Sequence, residues 1–446
     1  MVSLIRCLYT GYINNFENKL YMQLSILGFK IMARNQPNFY DYIVVGCGGI
    51  GSATLYWLTK GTRRTGTRVL GLEQFKLGHD NGGSQDVSRI IRLYYHEDYY
   101  TALARGAYNA WEEVERDSGE QLVFKTGGLI LGKKGTIEEQ IVYRYANSLK
   151  KHEIPFEMLE GKALRQRFPQ FTADNLIALY QKEGGLVDAA RGNSTHIQLA
   201  EANGATVLEN ATVSRIGRQA DGTIVVYSSK GVFTCRRVII IAGAWLNNVL
   251  RSIGLTIPVT VTQEQVTFFR TPHIKDCGKS RFPVFSYTLP EFNVYGLPPH
   301  GNTYFKLGID AGMSPTVTAE TRNFKPDPKR EKFCVDFLKE NIPKFLGPIA
   351  YTKTCLYTMT PDRNFVIDTC AKVNFPEVIV CCGAGHAYKF ASILGKTLSD
   401  LALNRKPSYN LEPFKVDRPA ITDPTFKKDM LYGREALKAK IAKSNL

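Results

Sequence analysis

The feature that most constrains this chain is a glycine-rich segment near its start. Residues 41–45 form a short apolar run, which predicts a buried parallel strand. Three glycines follow at once and precede a helical pattern of apolar residues: Gly46, Gly48 and Gly51. Glycine here allows a tight turn and a close approach of the backbone to a pyrophosphate, which the N-terminus of the following helix faces. The segment therefore predicts a dinucleotide-binding unit.

A second apolar run extends this unit. Residues 68–72 predict another parallel strand, which ends at Glu73. An acidic residue about 20 positions beyond the glycines typically accepts hydrogen bonds from the ribose of the dinucleotide. Because the strands, the glycines, the helix and the acid are all present, a glycine-rich loop that binds no ligand is the weaker alternative. We expect Gly46, Gly48, Gly51 and Glu73 to bind the cofactor.

Two later segments return to the same pattern. Residues 236–245 and 377–386 each predict a buried strand that runs into a turn of small residues, and a helix is predicted over residues 387–403. A β-rich piece, residues 205–227, precedes the first of them. A nucleotide-binding unit that is interrupted and resumed in this way fits an FAD enzyme better than an NAD dehydrogenase. The predicted fold class is α/β, with a split FAD-binding Rossmann-type domain and a second, mostly antiparallel α+β substrate domain.

The expected domain limits follow from these segments. The second domain contains two predicted strands, residues 259–261 and 266–269. The nucleotide domain is expected to comprise residues 39–117, 188–256 and 362–405, the substrate domain residues 118–187 and 257–361, the N-terminal extension residues 1–38, and the C-terminal tail residues 406–446.

The two ends of the chain weakly resemble targeting signals. Residues 1–38 are expected to be either a weak targeting segment or the product of a start upstream of the native one. The last three residues, Ser444, Asn445 and Leu446, are a degenerate form of the peroxisomal address Ser-Lys-Leu, with an ordinary polar terminus as the alternative. The expected location is the peroxisome, with an import receptor as partner, and otherwise the cytoplasm or the mitochondrion.

Composition argues against several other classes of protein. The formal net charge is +16, but the 57 Lys and Arg residues are scattered rather than gathered in a dense block, so we expect no nucleic acid partner. No run approaches the roughly 18 apolar residues of a membrane helix, so we expect no membrane partner. Nine cysteines without a Cys-x-x-Cys pair favour neither a disulfide framework nor a metal site, and they fit a reducing compartment.

Several motifs, in their order along the chain, resemble the sarcosine oxidase family of FAD amine oxidases, part of the D-amino acid oxidase superfamily. The family includes monomeric sarcosine oxidase, N-methyltryptophan oxidase and peroxisomal sarcosine/pipecolate oxidase. The resemblance spans residues 40–405 and rests on the glycine-rich segment and on residues 88–92, Tyr295, residues 306–308, residues 355–362 and residues 385–390. It implies a monomeric flavin oxidase of small secondary-amine amino acids, of the sarcosine, pipecolate or proline type, that reduces O2 to H2O2.

The resemblance also implies a covalent cofactor. In the family, the cysteine of the stretch that corresponds to residues 355–362 carries FAD through the 8α-methyl group of the flavin, which implies this role for Cys355. A lone cysteine is more often a small hydrophobic residue in a strand. Here the tyrosine, both threonines and the aspartate of the family stretch match as well, which favours the covalent role.

Oxidation of an amino acid at its C–N bond needs a cation that binds the carboxylate. The resemblance gives this role to Arg92 and Lys389, and it places Arg89 and Tyr295 at the catalytic centre. Arg89 and Arg92 stand three residues apart and would share one face of a helical turn. Two solvated arginines are the alternative.

Lys306 matches the family lysine that promotes the reaction of the flavin with oxygen. We expect it to follow a strand at residues 303–305, where a fixed cation would stabilise superoxide. A lysine at a strand edge is the alternative. The turn that contains Gly385 is expected to present a helix N-terminus to the cofactor, with Lys389 just beyond it.

Two positions depart from the family pattern. Asp310 stands four residues after Lys306, where bacterial members have a histidine that is taken to poise the amine, and Gln85 replaces a second histidine. A carboxylate at the amine would stabilise the protonated form, or it would bind a second cationic group of the substrate. Two alternatives to an oxidase stay open: a dehydrogenase that passes electrons to a protein acceptor, and a catalytically weak flavoprotein. Lys306 argues against the dehydrogenase.

Overall fold

The computed structural model describes residues 37–63 and 65–429. This part of the chain contains nineteen strands and nine α-helices. The strands are β1 (Phe39–Val45), β2 (Val69–Leu72), β3 (Arg89–Ile91), β4 (Val123–Lys125), β5 (Gly128–Lys133), β6 (Glu157–Glu160), β7 (Leu176–Gln181), β8 (Gly185–Val187), β9 (Thr206–Leu208), β10 (Val213–Arg218), β11 (Ile224–Ser228), β12 (Gly231–Ile240), β13 (Thr260–Phe269), β14 (Val284–Thr288), β15 (Asn293–Leu297), β16 (Phe305–Asp310), β17 (Ile349–Met359), β18 (Val366–Cys370) and β19 (Phe375–Cys382). The α-helices are α1 (Gly49–Gly61), α2 (Asp98–Ser118), α3 (Ile137–Lys151), α4 (Gly161–Arg167), α5 (Ala189–Ala202), α6 (Leu246–Leu250), α7 (Pro328–Asn341), α8 (Ala391–Ala402) and α9 (Pro419–Thr422).

The first sheet is built on the predicted nucleotide-binding strands. Strand β1 lies between β12 and β2, both parallel to it, and the register places Tyr42 beside Arg237 and Val69. Strand β9 extends the sheet beyond β2, and β19 lies beside β12, again in parallel. Strands β10, β11 and β18 pair in antiparallel fashion at the periphery. Strands that are covered on both faces are apolar throughout, so the central strands of this sheet could be recognised in the sequence. The predicted fold class is confirmed.

Helix α1 fixes the geometry at the carboxyl end of β1. It packs against both α8 and α5. The approach to α8 is close because Gly395 has no side chain; a Cβ there would lie 2.5 Å from the carbonyl carbon of Ala53. The indole N–H of Trp57 also donates to Ser392 Oγ at 3.1 Å. These contacts hold the N-terminus of α1 where a Rossmann-type fold binds its pyrophosphate.

The second sheet is mostly antiparallel, as predicted. Its strand order is β17-β13-β16-β15-β14-β5-β7-β6, and β5 with β14 forms a parallel pair. The strands predicted at residues 259–261 and 266–269 are one continuous strand, β13. The prediction separated them wrongly because residues 262–265 are polar, yet these residues also pair with β17. A third, small sheet has the order β3-β8-β4.

The two large sheets divide between the expected domains. Every strand of the first sheet falls in the ranges expected for the nucleotide domain, and every strand of the second in those for the substrate domain. The domain limits themselves stay a prediction. The helix expected over residues 387–403 is shorter, because a 3-10 turn at Tyr388–Phe390 precedes α8, with the Phe390 N–H donating to the Ala387 carbonyl at 2.8 Å.

The described part of the C-terminal tail packs onto the first domain. Phe414 is 1% exposed, and its ring contacts those of Tyr100 and Phe365. The guanidinium of Arg418 donates to both carboxylate oxygens of Asp362, at 2.8 and 2.9 Å. A bidentate pair of this kind holds the segment in one orientation.

Several predicted features lie outside the described residues: nearly all of the extension at residues 1–38, and the terminal Ser444, Asn445 and Leu446. Within the described ranges, no helix combines the length and apolar character needed to cross a bilayer. The eight cysteines of this part of the chain are free and buried. The same residues contain no cluster of three or more His, Cys, Asp or Glu that could hold a metal ion.

Candidate active site

A cavity of about 1210 Å³ is lined by residues from both large sheets. Sites for a single small ligand are about 300–1,000 Å³, so this cavity has room for more than a small substrate. Its wall includes nearly all the predicted site residues: Gly46, Gly48, Glu73, Arg89, Arg92, Tyr295, Lys306, Asp310, Cys355, Gly385 and Lys389. Gly51 does not line the cavity and lies behind the loop.

The glycine loop forms one end of the cavity through close backbone contacts. Gly46 has φ +90°, and a Cβ there would lie 2.5 Å from the carbonyl oxygen of Ile241. A Cβ at Gly51 would lie 1.8 Å from the Gly46 carbonyl oxygen, and one at Gly48 would lie 3.1 Å from Ser84 Oγ. Side chains at these positions would close the loop around the N-terminus of α1. The residues present therefore fit a bound dinucleotide such as FAD.

Glu73 follows β2 and is held beside the glycine loop. Its residue exposure is 4%. Oε2 accepts the Cys47 N–H at 2.8 Å, and Oε1 accepts the Phe75 N–H at 3.1 Å. Nε2 of His79 lies 3.3 Å from Oε1. Because a carboxylate oxygen has more than one lone pair, this network orients Glu73 and still leaves it able to accept a ribose hydroxyl.

Lys306 is the second residue of β16, and the sequence prediction that it follows a strand was wrong. Its neighbours β13 and β15 cover it on both sides, so it is not an edge lysine; it is 2% exposed. The ammonium donates to Asp86 Oδ2 at 2.6 Å and to the Ser88 carbonyl at 2.7 Å. Burial lowers the pKa of Lys306 to about 8, and the Asp86 carboxylate opposes that shift.

Arg89 shares the same carboxylate. Its guanidinium pairs with Asp86 Oδ2 and donates to the Gly83 carbonyl at 3.1 Å. Burial acts to raise the pKa of Asp86, but Lys306 and Arg89 outweigh it, and the pKa lies at about 2. Arg89 belongs to β3, so it and Arg92 do not share a helical face as expected. Strand β3 ends at Ile91, and both arginines line the cavity.

Arg92 is enclosed by aromatic rings. Its guanidinium carbon lies 5.0 Å from the ring centres of Tyr94 and Tyr95 and 5.6 Å from that of Tyr145. Within the described residues, its buried Nε has no hydrogen-bond partner. Cation–π contacts of this kind stabilise a desolvated guanidinium, which can then bind an anion without competition from water.

Lys389 and Asp310 lie at the same part of the wall. The Lys389 ammonium donates to the His386 carbonyl at 2.8 Å. Burial and the nearby Arg92 lower the pKa of Lys389 to about 7, and Asp310 opposes that shift. Asp310 Oδ1 lies 3.3 Å from a guanidinium nitrogen of Arg363, whose side chain is fully buried. The carboxylate of Asp310 therefore has a cationic partner behind it.

Cys355 lies within β17, opposite Glu264 of β13. Its thiol is buried at the cavity wall, and burial raises the pKa. Tyr357, two residues on, lies on the same face of the strand and packs against Gly385, where a Cβ would be 2.8 Å from its ring. Burial also raises the pKa of Tyr295, so its hydroxyl stays protonated at neutral pH and can donate a hydrogen bond.

The sequence predicted no role for several residues at this wall or directly behind it. Asp86 stands three positions before Arg89, and this spacing of opposite charges was a usable signal. Arg363 and Tyr145 gave no signal, because each meets its partner only across the fold; 53 residues separate Arg363 from Asp310.

Together the split parallel sheet and this cavity define a nucleotide-dependent oxidoreductase. The chain belongs to the FAD dependent oxidoreductase family, whose model matches residues 41–401. FAD is therefore its cofactor, as predicted.

Individual relatives agree with this assignment. Monomeric sarcosine oxidase of Arthrobacter sp. is 32% identical over 386 residues, which are 86% of this chain and 97% of that protein. Peroxisomal sarcosine oxidase of Homo sapiens is 31% identical over 408 residues, again 86% of this chain and 97% of that protein. The solved structure of NikD, described as an unusual amino acid oxidase essential for nikkomycin biosynthesis, has a TM-score of 0.74 at 23% identity and covers 85% of this chain and 97% of its own. This last likeness shows the fold alone.

The predicted family is thus confirmed, and with it the enzyme class, an FAD-dependent amine oxidase that acts on CH–NH donors. The covalent link at Cys355 and the roles of the individual site residues stay predictions.

Proposed function

We propose that this protein is an oxidase of small amino acids with a secondary amine, of the sarcosine, pipecolate or proline type. The carrying observation is the pair of partly buried cations, Arg92 and Lys389, in one cavity with the glycine loop. In the overall reaction the CH–NH group loses two electrons and two protons and becomes C=N, while O2 takes up both and becomes H2O2. Water then hydrolyses the imine. Bound FAD accepts the two electrons from the substrate and passes them to O2.

Arg92 and Lys389 bind the substrate carboxylate in this proposal. A guanidinium and an ammonium are the side chains best suited to that anion. Tyr94, Tyr95 and Tyr145 surround Arg92 and exclude water, which strengthens the electrostatic contact. The amine would then face Asp310 and Tyr295, which line the same cavity.

Cys355 is proposed to hold FAD covalently. Its thiol is at the cavity wall, and the resemblance of residues 355–362 to the family stretch supports this role. Burial, together with the carboxylates of Glu264 and Asp86, raises the pKa of the thiol, and the cations Arg89 and Lys306 oppose that shift. The thiolate is the reactive form of a cysteine, so its share and the rate of attachment should grow as pH rises.

The two alternatives are less well supported. A dehydrogenase with a protein acceptor has no need of a buried cation such as Lys306 at the redox centre, whereas an oxidase uses one to stabilise superoxide. A catalytically weak flavoprotein was suggested by Asp310 and Gln85, which stand where the resemblance would place histidines. Asp310 is paired with Arg363, which gives this carboxylate a fixed place at the site.

Anaerobic titration with sarcosine, pipecolate and proline tests the proposal, with glycine as the primary-amine control. We expect at least one secondary amine to bleach the flavin absorbance. Admission of air should then restore the colour and yield one H2O2 per flavin reduced. Bleaching without peroxide would favour the dehydrogenase, and no bleaching by any of the amines would favour the weak flavoprotein.

We further propose a monomer that is imported into peroxisomes. A degenerate address at Ser444, Asn445 and Leu446, and the names of the monomeric and peroxisomal sarcosine oxidases among the relatives, support this. A fluorescent protein that carries the C-terminal residues of this chain at its own C-terminus should be found in peroxisomes. Removal of the terminal tripeptide should spread the fluorescence through the cytoplasm.

A further inference from the structure

Asp86 is a buried carboxylate that joins two cations of the cavity. It lies in the loop before β3 and is nearly inaccessible to solvent. Its Oδ2 accepts from Lys306 at 2.6 Å and also pairs with Arg89. Its Oδ1 accepts the Val87 N–H at 2.8 Å, which fixes the plane of the carboxylate.

The environment of Lys306 explains why such a carboxylate matters. A buried ammonium loses its proton readily, and a like charge nearby adds to that tendency. Arg89 on β3 is such a charge, while the Cys355 thiol of β17 acts in the opposite direction. On the neighbouring strand β13, the Phe268 ring lies 5.6 Å from the ammonium, and the carboxylate of Glu264 is paired with Arg330 at 2.9 Å. Asp86 is therefore the main anionic partner of Lys306.

We propose that Asp86 is a positioning residue that keeps Lys306 charged and holds its ammonium beside Arg89 at the cavity wall, where O2 is reduced. This inference rests on the proposed oxidase function. Within the described residues, the ammonium donates to Asp86 and to the Ser88 carbonyl, and two fixed bonds direct the third N–H. The trio of Asp86, Lys306 and Arg89 carries one net positive charge.

The charge of Lys306 acts on the reduction of oxygen. O2 receives two electrons that originate in the substrate and two protons, and becomes H2O2. The first electron converts O2 into superoxide, an anion that a preorganised ammonium stabilises. Without the charge of Asp86, burial and Arg89 both favour the neutral amine, so Lys306 would lose this ability at neutral pH.

Reoxidation of the reduced enzyme tests the proposal without any amine substrate. The holoenzyme and its Asp86→Asn and Asp86→Glu variants are reduced with dithionite under argon and mixed with O2, and the flavin absorbance is followed. We expect Asp86→Asn to slow reoxidation about tenfold to a hundredfold, as the loss of one preorganised electrostatic contact does. Asp86→Glu should recover most of the rate. Glu377→Gln, which removes a carboxylate paired with Arg218 outside the cavity, is the matched control and should react as wild type.

Titration of Lys306 gives a second readout that a purely structural role would not move. Protein labelled with ¹³Cε-lysine is titrated by NMR, and Lys306→Arg identifies the signal. The pKa of Lys306 should fall by at least about one unit in Asp86→Asn and return in Asp86→Glu. An unchanged Lys306 pKa, or equal reoxidation rates in wild type and Asp86→Asn, would overturn the proposal. Slow reoxidation of the wild type with a normal Lys306 titration would instead count against the oxidase function.

A double-mutant comparison covers the case in which Asp86→Asn does not fold. Lys306→Met and the double variant Asp86→Asn/Lys306→Met remove the buried cation with or without its partner. If Asp86 acts through Lys306, the two should reoxidise at the same rate. A further loss in the double variant would show that Asp86 acts by another route and would contradict the inference.

Discussion

Asp310 and Arg363 form an ion pair through the wall of the cavity, with 3.3 Å between Oδ1 and Nη2. Arg363 has a fully buried side chain and φ 55°, a left-handed conformation that is uncommon outside glycine. The turn is held in place by His386, whose Nε2–H donates to the Arg363 carbonyl at 2.9 Å. Asp310 keeps 22% of its side chain exposed, towards the cavity. The pair presents an oriented carboxylate whose charge is largely compensated from behind.

The two members of this pair should shift the pH profile in opposite directions. The substrate amine must lose its proton before it is oxidised, and a carboxylate beside it raises its pKa. Asp310→Asn should therefore move the rise of the anaerobic reduction rate to lower pH. Arg363→Gln leaves the charge of Asp310 uncompensated and should move the rise to higher pH. Rapid-mixing absorbance measurements with sarcosine or pipecolate over a range of pH provide the profile.

Asp368→Asn, at a half-buried carboxylate outside the cavity, is the control and should leave the profile unchanged. A shift in the same direction for Asp310→Asn and Arg363→Gln would mean that the pair does not act on the amine through its charge.

Binding of small carboxylic acids should depend on the protonation of Lys389. Burial lowers its pKa to about 7. The ammonium is present below that pH and lost above it, so affinity for a thioether acid should fall as pH rises through about 7. Lys389→Met should remove this dependence and weaken binding at pH 6 by about tenfold to a hundredfold, the equivalent of about 1.5–3 kcal/mol.

Arg92→Ala should weaken binding of the acid at every pH, because a guanidinium does not titrate in this range. Lys396→Met, at a lysine paired with Glu113 away from the cavity, serves as the control. Spectral titration of the flavin measures each dissociation constant. A pH-independent affinity in the wild type would exclude Lys389 from the carboxylate site.

The flavin should remain with the polypeptide after precipitation in acid. Cys355→Ala should release it, whereas Cys370→Ala, at a buried cysteine outside the cavity, should not. Because burial raises the pKa of the Cys355 thiol, attachment of FAD to the apoprotein should also become faster as pH rises. Absorbance of the pellet and the mass of the intact chain provide the measurement. Free FAD from the wild type would refute the covalent link and leave the fold unaffected.

Gly46→Ala should abolish FAD binding. Gly46 has φ +90°, and the added Cβ would lie 2.5 Å from the Ile241 carbonyl oxygen. An alanine at Gly46 would suffer both backbone strain and a steric clash. Gly66→Ala separates these two effects, since Gly66 has φ +65° but no atom lies within 4 Å of the position of an added Cβ. It should lower stability by about 1 kcal/mol without loss of FAD. Flavin content after gel filtration and thermal unfolding distinguish the outcomes. If Gly46→Ala retains FAD, the contact with Ile241 is not needed to shape the loop.

The glycine loop and the strand before it were predictable because their signals are local. An apolar run, a turn that needs glycine and a helix can each be recognised from neighbouring residues. Local rules failed where sheet pairing decided the outcome. The polar residues 262–265 belong to β13 because β17 supplies their backbone partners. Arg89 is extended because it pairs with Val187 of β8, so the helical spacing to Arg92 had no meaning.

The residue types at the cavity were visible in the sequence alone: two cations suited to a carboxylate, a lysine, a cysteine and an aspartate. Their partners were decided by the tertiary structure. Asp86 and Lys306 are 220 residues apart, and Asp310 and Arg363 are 53 apart. Each pair forms only when the loops and the second sheet pack around one cavity. Because the charge state of a buried group depends on the desolvation and the counter-charges that this packing creates, the pKa values of Lys306 and Lys389 belong to the fold and have no signature in the sequence.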